Sequence, residues 1–210
     1  EFSLAPPNHV IVQVESRMQE SVKHGNLELQ IDPDFNPTNY ATISGRVVAL
    51  PGDSPRDEEG NHIAAKVELD DKVYFHYLIT SDEMYHIYDN YYKVPYYWVF
   101  CIVRGGNILP VGSWTLCEQV VEEEFDTVEV SGQRIEAITS ASGLVIGINK
   151  KPSTKFARLS YIGKPVGEGI GSEVKPGELV LLNKNSNFIN KIEGKDYYTV
   201  RQSDILSTKL

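Results

Sequence analysis

A tight turn that leads into an apolar strand is encoded in the stretch Val174-Lys175-Pro176-Gly177-Glu178-Leu179-Val180-Leu181-Leu182. The Pro-Gly pair is a strong turn signal, and the aliphatic residues after Glu178 form a run of strand length. A similar turn and strand occur 107 residues earlier, in Val67-Glu68-Leu69-Asp70-Asp71-Lys72-Val73. A turn-and-strand unit that occurs twice predicts a β fold with an internal repeat.

Two further matches extend the repeat. Val103-Arg104-Gly105-Gly106-Asn107-Ile108-Leu109 and Val200-Arg201-Gln202-Ser203-Asp204-Ile205-Leu206 both read V-R-x-x-N/D-I-L, 97 residues apart. Gly25-Asn26-Leu27-Glu28-Leu29 pairs with Gly143-Leu144-Val145-Ile146. The three matches come in the same order, and their offsets drift as expected when loops differ in length. They predict a tandem duplication of a β-domain, with units at residues 1–118 and 119–210.

The rest of the chain is typical of an all-β protein. β-branched and apolar runs of strand length occur at residues 10–14, 43–50 and 98–103, and turn-formers lie between them. No window sustains the apolar spacing of an amphipathic helix over three turns. Short strands with regular turn signals predict a barrel or a sandwich.

Composition excludes several functional classes. The 210 residues are 41% hydrophobic, which is ordinary for a globular protein. The sequence contains no stretch of 18 apolar residues, so it predicts no membrane-spanning helix. The net charge of −9 argues against nucleic acid as a partner. This charge lies in residues 1–118, which hold 8 Lys and Arg against 17 Asp and Glu, whereas residues 119–210 hold 12 of each.

The two cysteines, Cys101 and Cys117, lie in apolar surroundings without the spacing of a zinc site. They are interpreted as buried, reduced thiols, which is typical of a cytoplasmic protein. The five histidines are scattered without ligand spacing, and no catalytic motif is found. The sequence therefore predicts neither an enzyme, nor a metal site, nor a cofactor.

Several segments resemble the GroES-type co-chaperonins. The stretch from Val174 to Leu182 resembles that family's "V-K-x-G-D-x-V" strand, and the one from Val200 to Leu206 resembles its closing strand with the ending "S-D-I-L". In the first unit, Asn8-His9-Val10-Ile11-Val12 resembles the family's opening strand. The resemblance covers most of the chain as two copies and implies two tandem irregular β-barrels, of which the second is closer to the family pattern.

The resemblance also implies a function. Such a protein forms a ring that caps a GroEL-type chaperonin and assists protein folding, and it docks through an apolar tripeptide in a mobile loop. The segment that matches is Leu144, Val145 and Ile146, which lies between Gly143 and Gly147. A strand of the barrel core is the alternative interpretation of this tripeptide. The basic residues that follow, Lys150, Lys151, Lys155 and Arg158, are either a solvated flank or an attraction to an acidic partner.

The corresponding segment of the first unit contains Leu27 and Leu29 on either side of Glu28. Its alternation fits a half-exposed strand as well as a docking loop, and Glu28 would be costly in an apolar groove unless it is paired. The roof loop of the first unit, at residues 51–61, is acidic and would line a dome opening or simply be solvated.

One feature has no counterpart in the family pattern. Residues 74–100 hold eleven aromatic residues in 27 positions, including Tyr85, Tyr88, Tyr91 and Tyr92. This number predicts a protein–protein contact, with core packing as the alternative. The divergent first unit also motivates a second functional hypothesis, in which the barrels form a structural ring, collar or assembly component, for example of a virus particle.

Overall fold

The structure is a computed structural model. It describes residues 2–16, 21–24, 27–30, 43–56, 60, 62–63, 67–124, 126–130, 133–139, 145–147, 149–163, 174–184, 186 and 188–208. The described residues contain a single α-helix, α1 (Leu78–Ser81), and no helix among them is long and apolar enough to cross a membrane.

Strands make up the rest of the regular structure. In chain order they are β1 (His9–Ser16), β2 (Ser21–His24), β3 (Leu27–Gln30), β4 (Ile43–Ala49), β5 (Lys72–Phe75), β6 (His86–Tyr88), β7 (Tyr91–Pro95), β8 (Val99–Arg104), β9 (Asn107–Pro110), β10 (Trp114–Glu124), β11 (Asp126–Val130), β12 (Gln133–Thr139), β13 (Val145–Gly147), β14 (Asn149–Ile162), β15 (Leu179–Leu182), β16 (Ile189–Ile192), β17 (Lys195–Arg201) and β18 (Ile205–Thr208). The all-β prediction is confirmed.

Two large antiparallel sheets share one topology. The first runs β6-β7-β1-β4-β5-β8-β9 and the second runs β16-β17-β10-β14-β15-β18. When the strands of each sheet are numbered along the chain, the first six positions follow the same order in both sheets, and β9 is an addition to the first. The predicted division after residue 118 falls inside β10, which belongs to the second sheet from Trp114 onward.

The recurrence extends to local backbone geometry. Residues 67–73 and 174–180 contain the same turn followed by the same strand start, 107 residues apart. The left-handed position of each turn is occupied by a residue that tolerates it, Asp70 with φ of 66° and Gly177 with φ of 93°. In both halves a short 3₁₀ turn links the fifth strand along the chain to the sixth: Tyr96–Trp98 lies between β7 and β8, and Gln202–Asp204 lies between β17 and β18.

One of the sequence matches is wrong in its alignment. The segment at residues 103–109 is a β8–β9 hairpin, closed by Gly105 and Gly106 at φ of 57° and 80°. The segment at residues 200–206 is instead a strand, a 3₁₀ turn and a strand, and its topological counterpart is residues 94–100, at an offset of 106. Similar letters therefore encode two different turns.

Each half has its own apolar core. The first is built around fully buried residues of β1, β4, β5 and β7, including Val10, Val12, Val47 and Phe75. The second contains Leu159, Val180 and Val200. Alternate residues of each strand point to opposite faces of a sheet, so the β-branched runs supply one layer of core residues per strand.

Several tyrosines of the aromatic segment are buried within the chain, in line with core packing, the alternative to the predicted protein–protein contact. Tyr74, Tyr92 and Tyr96 are buried, whereas Tyr88 is 46% exposed. Tyr96 places its hydroxyl within hydrogen-bond reach of the backbone N–H of Val67, and burial raises its pKa to about 12. A tyrosine can enter a core when its hydroxyl finds a partner, so core packing accounts for much of the segment.

Both cysteines are buried free thiols, as the sequence predicts. Burial raises the pKa of Cys117 to about 12 and that of Cys101 further still. A thiol that stays protonated is a poor nucleophile and a poor metal ligand, so the two residues act as small apolar side chains.

The two halves are joined by a mixed cluster that we call the junction cluster. It consists of Tyr74 and Cys101 from the first sheet with Leu116, Ile192 and Tyr197 from the second. All five side chains are at most 5% exposed. Because this apolar surface is removed from water only when the sheets meet, the cluster stabilises their association.

A polar contact closes the edge of the junction cluster. The carboxylate of Glu193, at the tip of the β16–β17 hairpin, accepts hydrogen bonds from Lys72 Nζ at 2.8 Å and from Tyr74 Oη at 3.0 Å. The backbone N–H of Glu193 donates to the same Tyr74 hydroxyl at 3.2 Å. These bonds hold the pKa of Glu193 below its usual value, the Lys72 bond most strongly, and raise that of Lys72.

A close backbone approach at Gly163 yields a first prediction. A Cβ atom there would lie 2.2 Å from Gly112 O and 2.6 Å from Trp114 O, in the segment that connects the two sheets. Since backbone cannot yield as a side chain does, we expect Gly163→Ala to lower the free energy of unfolding by about 1–3 kcal/mol in urea denaturation. Gly52→Ala is the control, because its Cβ would meet only Leu4 at 3.5 Å. Equal losses in the two variants would contradict the prediction.

The Glu193 contact yields a second prediction. A carboxylate whose pKa is lowered on folding stabilises the protein above its unfolded pKa, near 4.5, and this contribution disappears as the pH falls through the lowered folded pKa. Because the pair is partly exposed, we expect Glu193→Gln to cost at most about 1 kcal/mol at pH 7.

The difference between wild type and Glu193→Gln should then shrink in denaturation curves taken from pH 7 down to about pH 3. Glu83→Gln, at an exposed position, is the control and should show no such change. A pH-independent difference for Glu193→Gln would show that the carboxylate charge is not what stabilises the junction.

Candidate partner-binding segments

The predicted docking tripeptide lies at a short outer strand of a small sheet. Val145 and Ile146 belong to β13, while Leu144 lies outside the described residues. β13 is the third strand of the sheet β11-β12-β13, where Val145 pairs with Thr139 and Gly147 with Ile138. Val145 and Ile146 therefore lie outside the second large sheet.

A two-stranded ribbon connects this small sheet to the second large sheet. The β10–β14 pairing continues from Thr115 and Ile162 as far as Glu124 and Asn149. Neighbouring strands β17 and β15 pair only with its inner part, at residues 114–117 and 156–158. In the described part of the chain, residues 121–124 and 149–152 thus pair only with each other, and they lead directly to β11 and from β13.

The register of the ribbon brings opposite charges to paired positions. Glu123 pairs with Lys150, and Glu122 pairs with Lys151. Of the predicted basic run, Lys155 and Arg158 lie further along β14 and are exposed, and Arg158 donates a hydrogen bond to Gly177 O at 2.8 Å.

The first half has a hairpin at the equivalent point of its topology. Leu27 and Leu29 belong to β3, which, among the described residues, pairs only with β2 in a separate two-stranded sheet. This hairpin lies between β1 and β4, as β11–β13 lie between β10 and β14. Glu28 pairs in register with Lys23. The strand alternative that the sequence left open is the one that the structure contains.

The acidic roof loop is described only in part. Asp57, Glu58 and Glu59 lie outside the described residues. Asp53 is exposed, with its carboxylate 3.4 Å from the backbone N–H of Asn8. The described portion thus ties the loop to the start of β1.

No metal-binding cluster occurs among the described residues. Within them, no group of three or more His, Cys, Asp or Glu side chains could hold a metal ion. The contacts that sequence reasoning missed are those of Glu193 with Lys72 and Tyr74, since nothing in either segment signals a partner about 120 positions away.

Comparison with known proteins agrees with this geometry. The family model described as "Chaperonin 10 Kd subunit" matches residues 125–208. "Co-chaperonin GroES" of Halalkalibacterium halodurans is 31% identical over 102 residues, which cover 47% of this chain and 94% of the relative. "Co-chaperonin GroES" of Brevibacillus choshinensis is 35% identical over 81 residues, 35% of this chain and 86% of the relative. That of Geobacillus stearothermophilus is 30% identical over 96 residues, 44% of this chain and 93% of the relative.

The chain belongs to the chaperonin 10 family of GroES-type co-chaperonins. This membership supports a co-chaperonin role, and since the family is not catalytic, the protein is not an enzyme. The family model begins at residue 125, so its match does not include the first half of the chain, whose large sheet shares its strand order with that of the second half.

Proposed function

We propose that this protein is a co-chaperonin that forms a ring-shaped lid on a GroEL-type chaperonin and assists protein folding in the cytoplasm. It docks through Leu144, Val145 and Ile146. The observation that carries the proposal is that the family match at residues 125–208 contains a small sheet, β11–β13, on the end of a two-stranded ribbon. Since Val145 and Ile146 belong to β13, docking through this strand would not require the core of the large sheet to change.

The proposal includes a tandem duplication. Six strands in one order, the matched turns at residues 67–73 and 174–180, and the matched 3₁₀ turns support two GroES-like units. The sequence prediction divided the chain into residues 1–118 and 119–210. The start of β10 at Trp114 favours a division a few residues earlier, between β9 and β10.

The energetics of docking favour many weak contacts. A buried apolar tripeptide removes a few hundred Å² from water, which is worth on the order of several kcal/mol before the entropy of ordering is subtracted. A ring presents several such segments at once, and the resulting avidity allows firm binding together with release. Exposed Lys155 and Arg158 would favour approach to an acidic partner surface.

Self-association into a ring is supported by the edges of the large sheets. β9 and β18 are outer strands, and each carries an exposed leucine, Leu109 at 42% and Leu206 at 56%. An outer strand has backbone N–H and C=O groups that are available to a neighbouring chain. Leu27 and Leu29 of β3 are the second proposed contact with the partner, from the equivalent point of the first half.

The proposal predicts the behaviour of Val145→Asp. A buried carboxylate in an apolar groove is costly, so each docking segment should lose most of its contact, and avidity should multiply the loss across the ring. We expect at least a roughly tenfold weaker complex with a GroEL-type chaperonin and nucleotide, measured by size-exclusion chromatography and electron microscopy.

Leu69→Asp is the matched control, because Leu69 is an exposed leucine in a turn of the first half, and its complex should be unchanged. Circular dichroism melts of both variants would establish that they are folded. If wild type forms no complex, the lid function is wrong, and rings without chaperonin affinity would favour the structural collar. If Val145→Asp binds as wild type does, the docking segment lies elsewhere.

A further inference from the structure

A pocket of about 300 Å³ lies between the two halves of the chain. His76 and Tyr77, just after β5, line it from the first half, and Asn183 and Lys184, just after β15, line it from the second. These two pairs occupy equivalent positions, 107 residues apart. Pockets at the boundary between two packed units are favoured sites for small ligands, and this volume is sufficient for one.

One wall of the pocket is aromatic. Phe100 packs edge-to-face on Trp114, with ring centroids 4.6 Å apart. The ring centroid of His76 lies 5.1 Å from that of Trp98. Phe188 also lines the pocket, and 41% of its surface is exposed. Flat, rigid side chains of this kind bind a planar ring by stacking and by edge contacts.

Both halves contribute hydrogen-bond donors to the pocket, Thr199 from β17 and His76 from the segment after β5. The hydroxyl of buried Thr199 accepts a bond from Asn190 Nδ2 at 2.6 Å, so its own proton is left to donate. His76 Nδ1 accepts the backbone N–H of Leu78 at 3.3 Å, which puts the proton of the neutral ring on Nε2. Donors of this kind favour a ligand that carries acceptor oxygens.

The charges of the pocket sum to one positive charge. Arg201 and Lys184 are cationic and Asp204 is anionic. The guanidinium of Arg201 lies 4.1 Å from the ring centroid of Trp114 and donates to Tyr97 O at 3.2 Å, which fixes its position. Burial, and then the charge of Arg201, lower the pKa of His76, so this ring is neutral at pH 7. Burial disfavours any charged group, so an anion in the pocket depends on its attraction to Arg201 and Lys184.

We propose that this pocket binds a small planar aromatic ligand with a single negative charge, such as an aromatic carboxylate. The ring would pack against Phe100, Trp114 and Phe188, and the carboxylate would face Arg201, Lys184 and the Thr199 hydroxyl. The site makes no use of the proposed docking segments, so its failure or success is independent of chaperonin binding.

The test compares two probes of one shape and opposite charge, 2-naphthoate and 2-naphthylmethylammonium. Binding would be measured on the full chain by ¹H–¹⁵N NMR, with the indole N–H of Trp114 as the reporter. A charge-assisted hydrogen bond is worth about a tenfold change in dissociation constant or more, so 2-naphthoate should bind at least roughly tenfold more tightly. Equal binding of both probes, or no binding of either at millimolar concentration, would overturn the proposal.

Two variants with opposite expected effects make the test sharper. Lys184→Gln should weaken the binding of 2-naphthoate and Asp204→Asn should strengthen it, each by several-fold. Lys184 is exposed and Asp204 is half-buried, so neither change threatens the fold. Lys175→Gln, at an exposed position that does not line the pocket, is the control and should change nothing. Parallel shifts in the two pocket variants would show that the pocket charges do not select the ligand.

Discussion

The tip of the β16–β17 hairpin is the contact on which the arrangement of the two halves depends. Glu193 has a left-handed backbone, with φ of 47°, and it exchanges hydrogen bonds with Tyr74 and accepts another from Lys72. Each bond is modest, because the pair is partly exposed. These bonds fix the orientation of the hairpin. They hold Ile192 and Tyr197, on either side of its tip, against the apolar face of Tyr74 and Cys101. Dispersion and the burial of these apolar side chains then supply most of the stabilisation, while the polar contact fixes how the two sheets are oriented.

This junction could not have been predicted from the sequence. Strand runs and turns follow from local spacing, and for that reason the all-β fold, the turn before β15 and the buried thiols were correctly predicted. The partner of Glu193 is set by how two sheets pack, and no local pattern records that. The same limit explains why one repeat match was aligned wrongly. The shared pattern V-R-x-x-N/D-I-L does not specify the backbone φ angles, and therefore does not specify the type of turn. Gly105 and Gly106 close a hairpin, whereas Gln202–Asp204 form a 3₁₀ turn.

For the two candidate docking segments, the sequence pattern alone was compatible with two interpretations, and the structure adds where each segment lies. Alternation around Glu28 was compatible with either a strand or a loop, and the structure contains a strand whose register pairs Glu28 with Lys23. For Val145, the Gly-flanked tripeptide was compatible with a core strand or a docking loop. The structure contains an outer strand of a small sheet beyond the core. Each segment follows the first strand of its large sheet, β1 or β10. The shared topology therefore puts the two segments at equivalent positions, which composition alone does not show.

The difference in composition between the halves has a structural consequence at their boundary. By the offset of the 3₁₀ turns, Trp98 and Phe100 correspond to Asp204 and Leu206, and by the offset of β5 and β15, His76 corresponds to Asn183. Equivalent positions after β5 and β15 line one pocket, so two identical copies would have given it two similar walls. Instead the first half contributes only aromatic rings, those of His76, Tyr77 and Phe100, whereas the second half contributes Trp114 and Phe188 together with the non-aromatic polar and charged side chains. An aromatic surface beside hydrogen-bond donors is what a binding site for an amphipathic ring requires, and in this pocket it depends on the difference in composition between the two halves.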